Sequence, residues 1–390
     1  AKQHPDGFIC REIRADGSDC FERYDPTSTG PNLLPWVELM YYRQFGDIDR
    51  LHKVFPALCA YAKWWRLNRT WPDGTHWSSG WGTGMDNMPR VKPEYNPIFS
   101  HGHMVWLDTN LQQMLVDESL LNIGFHIERW QEIEDMEDEM KRLRAYVNEH
   151  LWDDATGFLY DRYGDGSLCT TKGIGAFWAL QADALDKGRM NRMVAHLADT
   201  AEFDRPHRVP SLSADHPKYN PTGRYWQGGV WPGANYMVID GLYRKGYHDL
   251  ALEVAENHFN AVFEVWKNTG TFWEYYAPEK IEPGFMARKD FVGWAGPPIA
   301  VFIEYILGIK SDYSEGCIVW DINHTEAHGI DRYPYGPEGV VGLKVKGRNS
   351  AGDVPAVSVT TNVPFDLTVT WGDGQSRTVR VEKSGSVKLN

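Results

Sequence analysis

Long apolar runs are missing from this 390-residue chain: no stretch has the uncharged length of a bilayer span, and Ala1-Lys2-Gln3-His4-Pro5 is not a signal peptide. The expectation is a soluble protein without a membrane partner, its compartment left open. Clustered positive charge is missing too. Forty basic residues stand against 53 acidic ones, a net charge of -13 with no basic patch, which argues against a nucleic-acid partner. Cysteine is sparse: Cys10, Cys20, Cys59, Cys169 and Cys317 lack metal-ligand spacing, and their odd number argues against a disulfide framework. Cys10 and Cys20 could bridge, but free thiols are expected. There is no Gly-x-Ser-x-Gly elbow, phosphate-binding loop, dinucleotide fingerprint or His-Glu-x-x-His helix. His101-Gly102-His103 is the tightest histidine cluster, without a third ligand of evident spacing, so it reads as a polar rim or helix start. Neither metal nor cofactor is expected.

What the chain has in excess is aromatic rings: 17 Trp, 19 Tyr and 16 Phe. Trp71, Trp77, Trp81, Trp226, Trp231, Trp273 and Trp294 fall in loops beside Gly and Pro, whereas Trp64 and Trp178 fall inside helices and read as core. Sugars offer flat C–H faces to stack on rings and hydroxyls at the rim for hydrogen bonds. Loop tryptophans therefore suit a carbohydrate cleft and a small-molecule or oligosaccharide substrate.

Periodicity predicts a mainly α chain. Helices are expected over about 33–45 with Asn32 as cap, 47–66, 104–129, 131–151, 174–185, 187–197, 232–245, 248–266 and 298–306. In the third, Leu107, Leu111, Met114, Leu115, Leu121 and Phe125 should point inward. Residues 157–163 alternate like a short strand, and the prolines between 206 and 221 leave no room for a regular element. Beyond Cys317, β-branched runs at 340–345, 356–361, 367–371 and 379–381 are divided by turn residues. Trp371-Gly372-Asp373-Gly374 is a hairpin signal. The expected organisation is a catalytic domain over 1–316 and a small antiparallel β module over 317–390.

Three loops carry the chemistry. Gly80-Trp81-Gly82-Thr83-Gly84-Met85-Asp86-Asn87-Met88-Pro89-Arg90 sets one carboxylate among glycines and indoles, the composition of a pocket floor. Thr271-Phe272-Trp273-Glu274-Tyr275-Tyr276 sets another among four rings, 188 positions further on. A glycosidase needs such a pair: apolar walls keep one carboxyl protonated to serve the leaving oxygen, while the other activates water or attacks the anomeric carbon. Tyr225-Trp226-Gln227-Gly228-Gly229-Val230-Trp231-Pro232 adds two indoles and an amide able to serve vicinal hydroxyls. Asp86 and Glu274 are the candidate catalytic residues. Phe8, Trp77, Trp81, Asn87, Arg90, Trp226, Gln227, Trp231, Trp273 and Tyr275 are the candidate substrate-binding residues. A phosphorylase would need a basic anion site near Glu274, where the sequence offers only aromatics.

These loops resemble glycoside hydrolase family 63 and its trehalase-like relatives. Gly84 to Arg90 is similar to that family's Gly-x-Asp-Asn-Ser-Pro-Arg, Tyr225 to Pro232 to its Tyr-Trp-Arg-Gly-Pro-Val-Trp-Pro, and Phe291-Val292-Gly293-Trp294 to its Phe-x-Gly-Trp. Gly7-Phe8 with Arg11-Glu12 resembles its early substrate-contacting segment. The resemblance implies an (α/α)6 barrel and inverting hydrolysis of an α-linked sugar, an α-glucoside first, with Asp86 as general acid and Glu274 as general base. An α-mannosidase or trehalase of the same fold, or an inactive carbohydrate-binding protein, is the alternative. Met88 replaces Ser, and Gln227 and Gly229 replace Arg and Pro. Counting back from the helix after Glu274 as the twelfth, the first helix here becomes the fourth. About three helices, with an amino-terminal β domain, are expected upstream of residue 1 or absent from a compact variant.

Overall fold

A computed structural model describes residues 2–389 and divides the chain into two compact units. The first comprises residues up to Trp36 together with His52–Pro297; the second comprises Val37–Leu51 and Pro298 onward. Helices run at α1 (Leu34–Phe45), α2 (Ile48–Asn68), a single turn α3 (Gly80–Thr83), α4 (Leu107–His126), α5 (Glu134–Tyr146), α6 (Lys187–Ala195), α7 (Pro232–Arg244), α8 (His248–Thr269) and α9 (Gly296–Val301). Short strands β1 (Met104–Val105) and β4 (Arg162–Tyr163) pair, as do β2 (Trp152–Asp153) and β3 (Phe158–Leu159).

In the first unit α4 is the central element. Leu111, Val116, Leu120 and Ile123 are sealed, but so are Asp108, Asn110, Gln113 and Asp117 on its other faces, as in a helix surrounded by protein. Its polar faces are answered by ions and amides: Asp161 Oδ1 accepts from the Leu107 N–H at 2.8 Å, capping the helix with negative charge. Phe125, expected inward, is 75% exposed because it shares the outward face of the last turns with Glu118 and Asn122, while Ile123 and Ile127 are buried. Met104 and Val105, expected helical, form β1 instead, and residues 174–180 are a 3-10 helix. Asn32 is buried with its amide unpartnered, so it does not cap α1.

The second unit holds two four-stranded sheets. One runs β11-β10-β6-β5 and the other β12-β9-β8-β7, from β5 (Ile309–Asp312), β6 (Cys317–Ile322), β7 (His328–Tyr335), β8 (Gly339–Val345), β9 (Val357–Thr361), β10 (Phe365–Trp371), β11 (Gln375–Val381) and β12 (Gly385–Val387). Their inward residues, such as Trp320, Leu343, Val359 and Leu367, share one core. Each side chain buried there contributes about 1.5 to 3 kcal/mol. All pairs are antiparallel except β6 with β10, which is parallel. The unit begins ahead of Cys317, where composition changes, because β5 pairs with β6 and the Tyr313 N–H donates to the Arg43 carbonyl. All five cysteines are free.

Against the ring of Tyr276, His207 Nε2 and His258 Nδ1 lie 3.0 Å apart, both rings fully buried and both held below the ordinary histidine range by burial, His258 down to about 3. The folded state therefore resists protons that the unfolded chain accepts below about pH 6.5, so stability present above that pH is lost as pH falls. By pH 5 His258 alone should cost about 2 kcal/mol. Urea midpoints should fall between pH 7 and 5, and His258→Gln should flatten that slope; an unchanged slope would refute the assignment.

Candidate active site

Asp86 is placed by a one-turn helix and a glycine stop. Ser79 caps α3 by accepting from the Gly82 N–H, and Gly84, at φ +77°, ends it in the left-handed conformation that glycine adopts without strain. Gly80 permits close packing: a Cβ there would lie 2.2 Å from the Pro97 carbonyl oxygen. The chain then turns Asp86 toward the Tyr225 loop, where the Tyr225 hydroxyl donates to its carboxylate at 3.3 Å. Tyr225 itself is held at φ +59°, a strained setting for a bulky residue. Asn87 ties the loops together. Its Oδ1 accepts from the Trp226 N–H at 2.8 Å, its Nδ2 donates to the Arg224 carbonyl, and Gln227 Nε2 donates back to the Asn87 carbonyl at 3.1 Å.

Glu274 comes to the same place from the far side, held by backbone pairing: its N–H donates to the Arg288 carbonyl, and the neighbouring Tyr276 and Val230 exchange two bonds. Trp226 stacks on Trp231 at 4.1 Å and 4°, and Trp231 on Tyr275 at 4.8 Å, so a three-ring pile joins the Tyr225 and Glu274 loops. Each such pair contributes about 0.5 to 1.5 kcal/mol beyond its buried area.

Burial raises the pKa of Asp86, against the Tyr225 hydroxyl and the nearby Arg11 guanidinium, which lower it. Burial also raises Glu274, opposed by Arg288 and reinforced by the negative charge of Asp86. The phenol of Tyr225 is pushed up by burial and then by both carboxylates. The two acids thus share one electrostatic neighbourhood. Arg288 corrects the expectation that only aromatics surround Glu274.

Two candidates lie elsewhere. Phe8 is sealed in a core cluster with Tyr61, Trp64 and Trp65, its ring 4.9 Å from Trp64, because the apolar face of α2 covers it. Arg90 faces away from the cleft: its guanidinium forks onto Asp108 at 2.8 and 2.9 Å, reaches Asp161 at 2.7 Å through Nε, and lies over Trp106. Trp81 is half-buried against Phe21, Phe99 and Arg11, which donates to its carbonyl. Trp77 is half-buried against Trp71, His101 and Arg69, and Trp273 ties to Thr269 at 3.1 Å.

Beside the Asp86 loop opens a cavity of about 460 Å³, bounded by Thr83 to Met85, Gln112 of α4, Trp178, Trp226, Met237 of α7 and Trp294. Trp178, expected in the core, is half-exposed on this wall. Tyr225 and Gln112 were not among the candidates, and Arg11 was named only within the segment resembling the family's early substrate-contacting one. Tyr225 stood in the quoted loop, but nothing local marks a glutamine inside a long helix.

The profile of the mannosylglycerate hydrolase MGH1-like glycoside hydrolase domain matches residues 2–288. The chain belongs to this family. An uncharacterized protein of Borreliella burgdorferi is 24% identical over 313 residues, 77% of this chain and 64% of its own. A probable mannosyl-oligosaccharide glucosidase of Schizosaccharomyces pombe is 23% identical over 291 residues, 66% of this chain and 35% of its own, so this chain spans only part of these relatives' length. The fold matches a family 63 mannosylglycerate hydrolase from Thermus thermophilus solved with glucose: TM-score 0.64, 22% identity, 77% of this chain and 84% of that one. In this glycoside hydrolase family domain the Arg90 fork is open to a direct test. Arg90→Ala leaves two buried carboxylates without their cation and should cost about 3 to 5 kcal/mol, read as a lower urea midpoint. A cost below 1 kcal/mol would show that the fork is not structural.

Proposed function

We propose that this domain hydrolyses an α-linked glycoside, an α-glucoside in the first instance, with inversion at the anomeric carbon, on an (α/α)6 arrangement of helices. The helix-rich first unit, its packed successive pairs α4/α5 and α7/α8, and the likeness in fold to the family 63 enzyme support the barrel. One observation carries the chemistry: two carboxyls 188 positions apart converge under aromatic walls, Glu274 within the field of Asp86 and both drawn toward the protonated form by burial.

Asp86 is the general acid in this reading. Its proton passes to the glycosidic oxygen as the bond from that oxygen to the anomeric carbon breaks. Glu274 is the general base, taking a proton from the water whose oxygen bonds to the opposite face of the same carbon. Burial raises both groups, so electrostatics does not divide the roles; the likeness of the Asp86 loop to the family motif does. Tyr225 holds Asp86 by its hydroxyl, and the stack of Trp226, Trp231 and Tyr275 ties the Tyr225 loop to the loop that carries Glu274.

Asp86→Asn and Glu274→Gln should each lower kcat by about a hundredfold or more while sugar binding survives. Proton NMR of the wild-type reaction should show the β anomer appearing first from an α-glucoside or α-mannoside. Because Asp86 raises Glu274 electrostatically, the Glu274 carboxyl should titrate lower in Asp86→Asn than in the native protein. Appearance of the α anomer first, or near-native turnover in either variant, would sink the assignment.

A further inference from the structure

The cavity beside Asp86 has a chemistry of its own. Its volume, about 460 Å³, is that of a small-molecule site, and among the described residues no charged side chain lines it. Rings of Trp178, Trp226 and Trp294 and the thioether of Met237 form its walls. One polar group stands out: Gln112 is 6% exposed, yet among the described residues nothing gives or takes a hydrogen bond with its side chain. Its amide atoms keep accessible surface, and Gln112 borders the cavity, so the amide can give and take hydrogen bonds with a group that enters it.

The cavity's position says which part of a glycoside that partner is. Its boundary includes Thr83 to Met85, just before Asp86, and Trp226, just after the tyrosine that donates to Asp86; no residue of the Glu274 loop borders it. The acid serves the departing oxygen, so the space on the acid's side belongs to the leaving group. We propose that the leaving group is an uncharged aromatic alcohol bearing a polar substituent for Gln112, not the carboxylate-bearing alcohol implied by the names of the family and of the matching Thermus enzyme. A carboxylate in this cavity would lose its water and find no cation on the walls. The proposal rests on the hydrolytic reading above.

Three α-glycosides with alkyl leaving groups separate the possibilities, each made as glucoside and mannoside: methyl, 2-naphthylmethyl and the glycerate conjugate. The naphthylmethyl compound should show a kcat/KM at least tenfold above both others. Met237→Trp, which fills the cavity, should reduce that value at least ten times more than it reduces the methyl compound's, and Ala234→Phe on the same helix repeats the test if the first variant misfolds. A 6-hydroxyl on the naphthalene should raise kcat/KM in the native protein, a gain lost in Gln112→Leu. Equal rates for the three leaving groups, or preference for glycerate, would overturn the proposal. Calorimetric binding of 2-naphthalenemethanol, abolished by Met237→Trp but with no glycoside hydrolysed, would support the ligand class and overturn the hydrolytic reading instead.

Discussion

The Arg90 fork is the interaction on which the site depends. A guanidinium closed on two buried carboxylates is favourable only while all three are present, since any one left alone is a charge in a medium that cannot solvate it. Its partners come from different places: Asp108 from the first turn of α4, Asp161 from the segment ahead of β4. Asp161 also receives the Leu107 N–H, so the same charge that holds Arg90 starts the central helix. The Asp86 loop is thereby fixed at its far end to α4, as Ser79 and Gly84 fix its near end. What lies between has little freedom left, and that is how a single carboxyl is held in a setting that raises its pKa.

Much of this was legible in the sequence because it is local. Glycine, proline and ring content marked the three loops, and the structure brings Asp86, Tyr225 and Glu274 together. Helix positions followed from apolar periodicity within a few residues at most ends, and the hairpin at Gly372 to Gly374 formed as its turn residues indicated. The failures share a cause. Arg90 resembles a sugar ligand until Asp161, 71 positions away, is seen to claim it. Phe8 resembles a platform until α2 covers it. Neither Gln112 nor Trp178 could be read as cavity residues, since which face of a helix borders empty space depends on elements remote in the chain. The short strand β1 depends on β4 and carries no local signal long enough to find, whereas β3 and β4 fall within the alternating run at 157–163.

Electrostatically the site is economical. Burial is the main cause raising both acids, and the groups opposing it, Arg11 at one and Arg288 at the other, are unequal in setting: Arg11 is partly buried, Arg288 exposed to solvent. Solvent screens Arg288 more strongly, while Asp86 also receives the Tyr225 hydroxyl directly. Moving either carboxyl's titration thus involves a different partner, and Asp86 adds its own charge to the setting of Glu274.

Separate parts of the fold hold the reacting groups and shape the cavity. Asp86 is pinned by caps, amides and the Arg90 fork, none of which involves α7. The cavity wall takes Ala234, Met237 and Val238 from that helix, side chains that vary in size without a polar atom to strand. Substitutions there can redraw the pocket one methylene at a time while the acid stays in register. A lineage carrying this domain can therefore exchange one leaving group for another in small steps, each still passing through a working catalyst.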